Sequence, residues 1–350
     1  MWKVLAAPPR RHWLATMATL AVPDGTVHVR RMRRRDLLIR LGLLGAGVGG
    51  AWWFRDYVLW REPEVVLPAQ GSTGWLPYAE PRAPTPTVAA TVNGTPVRAL
   101  IDSGAQYSVI DRSLFAALGL TEVFTLPMVA YGVGGDAQVG RGTTLDVAVG
   151  GLRLDGLRAA ILGLGPLAGP QGLAAPLILG QDVLRRLVLE LNTPERRLRL
   201  SGREGWSPPA EVRPIPVTRS GRALQAAITV EGVEVQAVVD TGASAILALT
   251  RETARAAGLF DGRERRSGQS IVLGGVVRAE TVVARTLTIG DDLYRQAEVA
   301  IYDDVPAPGF PKALIGMEAF DGRRVALDLG GPRLFASSPM DITVGGPKGR

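Results

Sequence analysis

The body of this sequence is written twice, and that constrains the fold more than any other feature. Ala90-Thr91-Val92-Asn93-Gly94, an apolar run from Val97 to Ile101, and Asp102-Ser103-Gly104-Ala105 form the first copy. Ile228-Thr229-Val230-Glu231-Gly232, a run from Val235 to Val239, and Asp240-Thr241-Gly242-Ala243 repeat it at an offset of 138 residues. Leu177-Ile178-Leu179-Gly180 returns as Ala313-Leu314-Ile315-Gly316 at 136, and Glu190-Leu191 as Asp328-Leu329 at 138. Landmarks in one order at nearly constant spacing imply duplication, with each copy the size of a small domain. The expected molecule is two similar lobes related by a pseudo-twofold axis.

Within each copy, short Val/Ile/Leu/Thr-rich runs are divided by Gly, Asn-Gly, Gly-Gly and Pro, the pattern of strands and tight turns. The fold class expected is all-β, mostly strands with short helices at 112–118, 250–257, 182–187 and 317–320. Asn93-Gly94 reads as a hairpin turn. The stretches around Tyr131-Gly132-Val133-Gly134-Gly135 and Leu273-Gly274-Gly275 read as glycine-tipped hairpins. The expected organisation is a Pro-rich spacer at 62–87, a first lobe at 88–200, a linker at 201–216, a second lobe at 217–336 and a loose tail at 337–350.

The available chemistry is narrow. The 350 residues contain no Cys, and the two His lie within the first 30 positions. Disulfides, thiol nucleophiles, a Ser–His–Asp triad and His- or Cys-ligated metals are therefore excluded from the body. Carboxylates are left as carriers of acid–base chemistry. Both Asp-Ser/Thr-Gly turns close an apolar run, where a carboxylate is costly unless hydrogen-bonded or paired. Gly104 and Gly242 let the chain turn sharply, and Ser103 and Thr241 can lock the turn. If the copies pack about a twofold axis, Asp102 and Asp240 become symmetry mates that share one proton, one acting as base and the other as acid on a water between them.

These paired turns resemble the active turns of the retropepsin-like and pepsin-like aspartic proteases, in a two-lobed, single-chain form. The resemblance spans about residues 88–336 and includes the second motif at Ile178-Leu179-Gly180 and Leu314-Ile315-Gly316. It implies that Asp102 and Asp240 are catalytic. It further implies that the Ser103 and Thr241 hydroxyls interlock behind them, and that a segment threads close behind each turn past the motif glycine. Tyr131, Gly132, Gly134, Gly135, Leu273, Gly274 and Gly275 then fall in flaps over a peptide substrate. The activity implied is endopeptidase, without cofactor or metal and without need of a second chain. A non-catalytic module that captures extended peptides in the same cleft is the alternative. The sequence departs from the family pattern at Gln106, where Ser, Thr or Asp is usual, and at Ile246, opposite Ser108.

The chain's net charge of +7 belongs to its N-terminal segment. Residues 1–61 hold 11 Lys and Arg against three acids, and the remainder is nearly balanced at 29 against 30. No basic stripe with interleaved aromatics marks the body, which argues against nucleic-acid binding. Arg33-Arg34-Arg35 followed by the uncharged run from Leu41 to Phe54 resembles a twin-arginine export signal, with Met32 as the start and 1–31 untranslated. Trp52, Trp53, Phe54, Tyr57 and Trp60 suit a membrane–water interface, so the segment reads as an export signal or an inner-membrane anchor. The body is expected in the periplasm.

Overall fold

A computed structural model describes residues 61–121, 124–131, 137–272, 275–304 and 310–338. The N-terminal segment, the tail from 339 and the two hairpin tips lie outside these residues. Among the described residues, no helix is long and apolar enough to cross a membrane.

Each copy of the repeat builds the same sheet. In the first, Thr87–Val92 and Thr95–Ile101 form a hairpin across Asn93 and Gly94, whose φ angles of 48° and 83° are those of the tight turn that the Asn-Gly pair favours. In the second, Ala223–Val230 and Val233–Val239 do so across Glu231 and Gly232, at 50° and 85°. Thr95–Ile101 then pairs in parallel with Leu177–Leu179, as Val233–Val239 does with Ala313–Ile315. The motif strand lies antiparallel to Val109–Asp111 in one lobe and to Leu247–Thr250 in the other. Two long hairpins complete the correspondence: Phe124–Tyr131 with Ala137–Val149, and Arg265–Val272 with Gly275–Ile289. The chain is mostly β in two similar lobes.

The short helices begin where local chemistry starts them. Asp111 accepts the Ser113 N–H to open Arg112–Ala117, and Thr250 accepts the Thr253 N–H to open Arg251–Ala256. Gln181–Leu184 and the 3₁₀ turn Met317–Phe320 follow the two motif glycines. The buried faces of both sheets and of the inter-lobe sheet merge into one apolar core running from Val92, Ile101 and Leu154 to Val230, Val239 and Val299. Its near-complete burial of apolar side chains is the main favourable contribution to folding.

A third sheet of six strands carries elements from both lobes. Its centre pairs Leu187–Asn192 antiparallel with Arg324–Asp328, flanked by Arg197–Gly202 and Arg333–Ser337. Two of its strands correct the expected linkers. Val212–Ile215, within the supposed 201–216 linker, is one edge. Leu76–Pro77, within the supposed spacer 62–87, is the other. Other parts of that spacer are packed as well. Glu64–Val66 pairs with Leu152–Leu162, Thr73 Oγ1 accepts the Leu200 N–H, and Tyr78 is 4% exposed. Proline removes a donor but does not forbid an edge strand.

Candidate active site

The two Asp-Ser/Thr-Gly turns meet where the lobes face each other. Asp102 leaves the end of Thr95–Ile101 and Asp240 the end of Val233–Val239, each with its backbone N–H on the neighbouring motif strand, at Leu179 O and Ile315 O. Behind them the hydroxyls interlock reciprocally. Ser103 N donates to Thr241 Oγ1 at 2.9 Å, and Thr241 N donates to Ser103 Oγ at 3.0 Å. Ser103 Oγ donates to Val239 O at 2.8 Å, and Thr241 Oγ1 donates to Ile101 O at 2.7 Å. Both residues are buried, so each of these four bonds replaces hydration that folding removed.

This lock sets each carboxyl group against the glycine of the opposite turn, near enough for the two aspartates to act on each other electrostatically. Asp102 Oδ1 also accepts the N–H groups of Gly104 at 2.8 Å and Ala105 at 3.0 Å, and Asp240 Oδ1 accepts that of Gly242 at 2.8 Å. The glycines have a second reason to be there. A Cβ on Gly104 would stand 2.6 Å from Asp240 Cγ, and one on Gly242 would stand 2.6 Å from Asp102 Cγ. Any side chain would push the pair apart.

Burial raises the Asp102 carboxyl above its usual range, against the lowering pull of its two backbone N–H donors. Asp240 is driven further up, first by burial and then by the neighbouring charge of Asp102. Two carboxyls this close and partly withdrawn from water resist ionising together, which is the direction both shifts take.

The motif glycines let the chain pass close behind each turn. A Cβ on Gly180 would meet Ala105 O and the Tyr107 backbone at 2.8 Å, and one on Gly316 would strike Ala243 O and Ala245 O. Past these glycines, Gln181 N donates to Ala105 O at 2.8 Å and Met317 N to Ala243 O at 2.9 Å.

The support beneath the turns differs between lobes. Buried Asp182 accepts Ser108 N at 3.0 Å and Ser108 Oγ at 2.8 Å, and Ser108 Oγ accepts the Gly180 N–H at 3.2 Å. In the second lobe the Ile246 carbonyl takes the Gly316 N–H instead. Ser108 and Ile246 were legible as a mismatch in the sequence. The partners Asp182 and Gln181 were not, because the repeat offers Glu318 and Met317 at their places.

Asp102, Ser103, Gly104, Asp240, Thr241 and Gly242 thus converge. Of the expected flap residues, Tyr131 ends one hairpin strand and Gly275 begins another. Gly132, Gly134, Gly135, Leu273 and Gly274 lie outside the described residues. No group of three or more His, Asp or Glu among the described residues is arranged to hold a metal ion. Asp292 pairs with Arg323 at 2.7 Å and Asp303 with Arg251 at 3.1 Å.

A two-lobed β fold with twin aspartates on interlocked turns defines a class, and the family comparison places the chain in it. The aspartyl protease family model matches residues 88–183 and 226–319, and the chain belongs to that family. Among solved structures it is similar to a retropepsin-like aspartic protease from Rickettsia conorii. Identity is 22% over 36% of this chain and 89% of that one, with a TM-score of 0.27. It is also similar to an aspartic proteinase from Irpex lacteus, with 13% identity over 78% of this chain and 99% of that one and a TM-score of 0.46. No curated protein is matched.

Proposed function

We propose that this chain is an exported aspartic endopeptidase in which Asp102 and Asp240 share one proton and activate a water. The observation that carries this reading is the placement of each carboxyl group against the glycine of the opposite, reciprocally locked turn. In the monoanionic pair, the ionised carboxylate takes a proton from the water as it attacks the peptide carbonyl. The protonated partner gives its proton to the carbonyl oxygen, and a gem-diol forms with no covalent tie to the protein. Collapse of the gem-diol passes a proton to the amine nitrogen and breaks the C–N bond.

The substrate is an extended peptide segment. The strands Phe124–Tyr131 and Arg265–Val272, paired with Ala137–Val149 and Gly275–Ile289, offer backbone for pairing with such a segment. One chain carries both aspartates, so a monomer suffices. The basic and uncharged run at 33–54 supports export or anchoring at the inner membrane, with the lobes on the periplasmic side.

The test is cleavage of a mixed peptide library from acidic to neutral pH by the wild type, Asp102→Asn and Asp240→Asn. New termini from the wild type alone, suppressed by a hydroxyl-bearing transition-state mimic, are the expected result. Full turnover by either variant overturns the dyad, and peptide binding without cleavage by the wild type makes the chain a peptide-capturing module.

A further inference from the structure

Gln181 is the first residue after the motif glycine and is 1% exposed. Its Nε2 donates to Ser103 O at 2.7 Å, while its Oε1 is buried with no hydrogen-bond partner. An orphaned buried acceptor is destabilising. The fold does not require that cost. At the matching place in the second lobe stands Met317, of similar length and 2% exposed, which fills its site with no polar atom to satisfy. The amide therefore does something that packing does not explain.

Its partner shows what. Ser103 O and Gly104 N belong to one peptide unit, which is planar and trans, so the carbonyl and the N–H point in opposite directions. Holding the carbonyl from one side aims the N–H at the other, where it meets Asp102 Oδ1 at 2.8 Å. The three groups form a chain from amide to peptide to carboxylate, in which each hydrogen bond polarises the next. Met317 has no donor to offer the Thr241 carbonyl, so Gly242 N meets Asp240 without such backing.

We propose that Gln181 is a positioning residue of the dyad: by holding the Ser103 carbonyl it fixes the Gly104 N–H on Asp102, so that Asp102 carries the negative charge and Asp240 the proton. This rests on the dyad reading above. Among the described residues, the ionisable groups that bear on the pair are the aspartates themselves and Tyr302, which feels the charge of Asp240. Asp182, next to Gln181, is engaged by Ser108. None of these changes when Gln181 is replaced.

The experiment is the pH profile of kcat/KM for the full chain, its Q181M and Q181E variants, and D102N. Losing the donor weakens only the ionised form of Asp102. The acid limb of Q181M should therefore move up by about half a pH unit while the alkaline limb stays. Q181E keeps a donor while its carboxyl is protonated and loses it on ionising. It should follow the wild type at the acid end and fall several-fold below it as pH rises. A uniform drop in rate with neither limb displaced, or a Q181E profile identical to the wild type, overturns the proposal. If Q181M does not fold, the isosteric Q181E decides. Activity retained by D102N would sink the dyad itself. A dead D102N beside an unmoved Q181M limb sinks only the role of Gln181.

Discussion

Asp240 is held where ionising costs the fold something. Its folded-state pKa lies well above the ordinary 3.8, from burial and from the charge of Asp102. Between 3.8 and that raised value the native chain binds more protons than the unfolded one. Its stabilising contribution is therefore complete below about pH 3.8 and is lost as pH rises through the folded-state value. Asp240→Asn removes the titration and keeps an acceptor for the Gly242 N–H. Thermal melts should show this variant more stable than the wild type at pH 7, by about 2–4 °C for each kcal/mol relieved, and no more stable at pH 3. A variant less stable at pH 7 would mean that the carboxylate is not strained there. The same pair was the most legible part of the site. Asp102, Ser103, Asp240 and Thr241 occur twice at one phase, and duplication separates them from a chance Asp-Ser/Thr-Gly. Gln181 was silent because its importance comes from one unreciprocated contact, and its repeat partner is a methionine.

The elements that set the two turns apart from ordinary hairpins are the three-residue strands Leu177–Leu179 and Ala313–Ile315, each followed directly by glycine. Gly316 has no room for a side chain. Its Cβ would strike the carbonyls of Ala243 and Ala245, backbone that is itself anchored by Met317 N and Glu318 N. Gly94 has nothing within 4 Å of its Cβ position, and only its φ of 83° disfavours a side chain. Gly316→Ala is therefore expected to cost about 3 kcal/mol and most of the peptidase activity, whereas Gly94→Ala costs about 1 kcal/mol and leaves activity intact. Denaturant midpoints with peptide turnover distinguish them, and equal behaviour would refute close threading behind the turn. At this scale the sequence marked hairpins well, since Asn93-Gly94 and Glu231-Gly232 carry the turn geometry locally. It misled at 62–87 and 201–216, where prolines suggested free linkers. Leu76–Pro77 and Val212–Ile215 are edge strands, whose outer sides need no donor, and what seats them is a distant partner rather than any local signal.

At the scale of the whole molecule, the cleft keeps its geometry only if the lobes stay joined, and a second carboxylate of opposite character helps to join them. Asp328 ends a central strand of the shared sheet and has no exposed surface. Arg203, from the first-lobe side, reaches it at 2.8 Å, and Arg333, from the second, at 2.7 Å, while the Gly331 N–H adds a third donor at 2.8 Å. Burial alone would raise this carboxyl, but the hydrogen bonds from Arg203 and Arg333 outweigh it and the pKa is lowered. A lowered folded-state value contributes stability above about pH 3.8 that is lost only as pH falls through the folded-state value. The inter-lobe tie thus keeps its charge to a lower pH than an ordinary carboxylate would. Asp328→Asn should then cost about 2–3 kcal/mol at pH 7, below the figure for a fully buried pair because both guanidinium groups reach solvent. That difference from the wild type should narrow as the pH is lowered toward 2. Urea unfolding across this range measures it, and a variant as stable as the wild type at pH 7 would show that the six-stranded sheet holds the lobes without this tie.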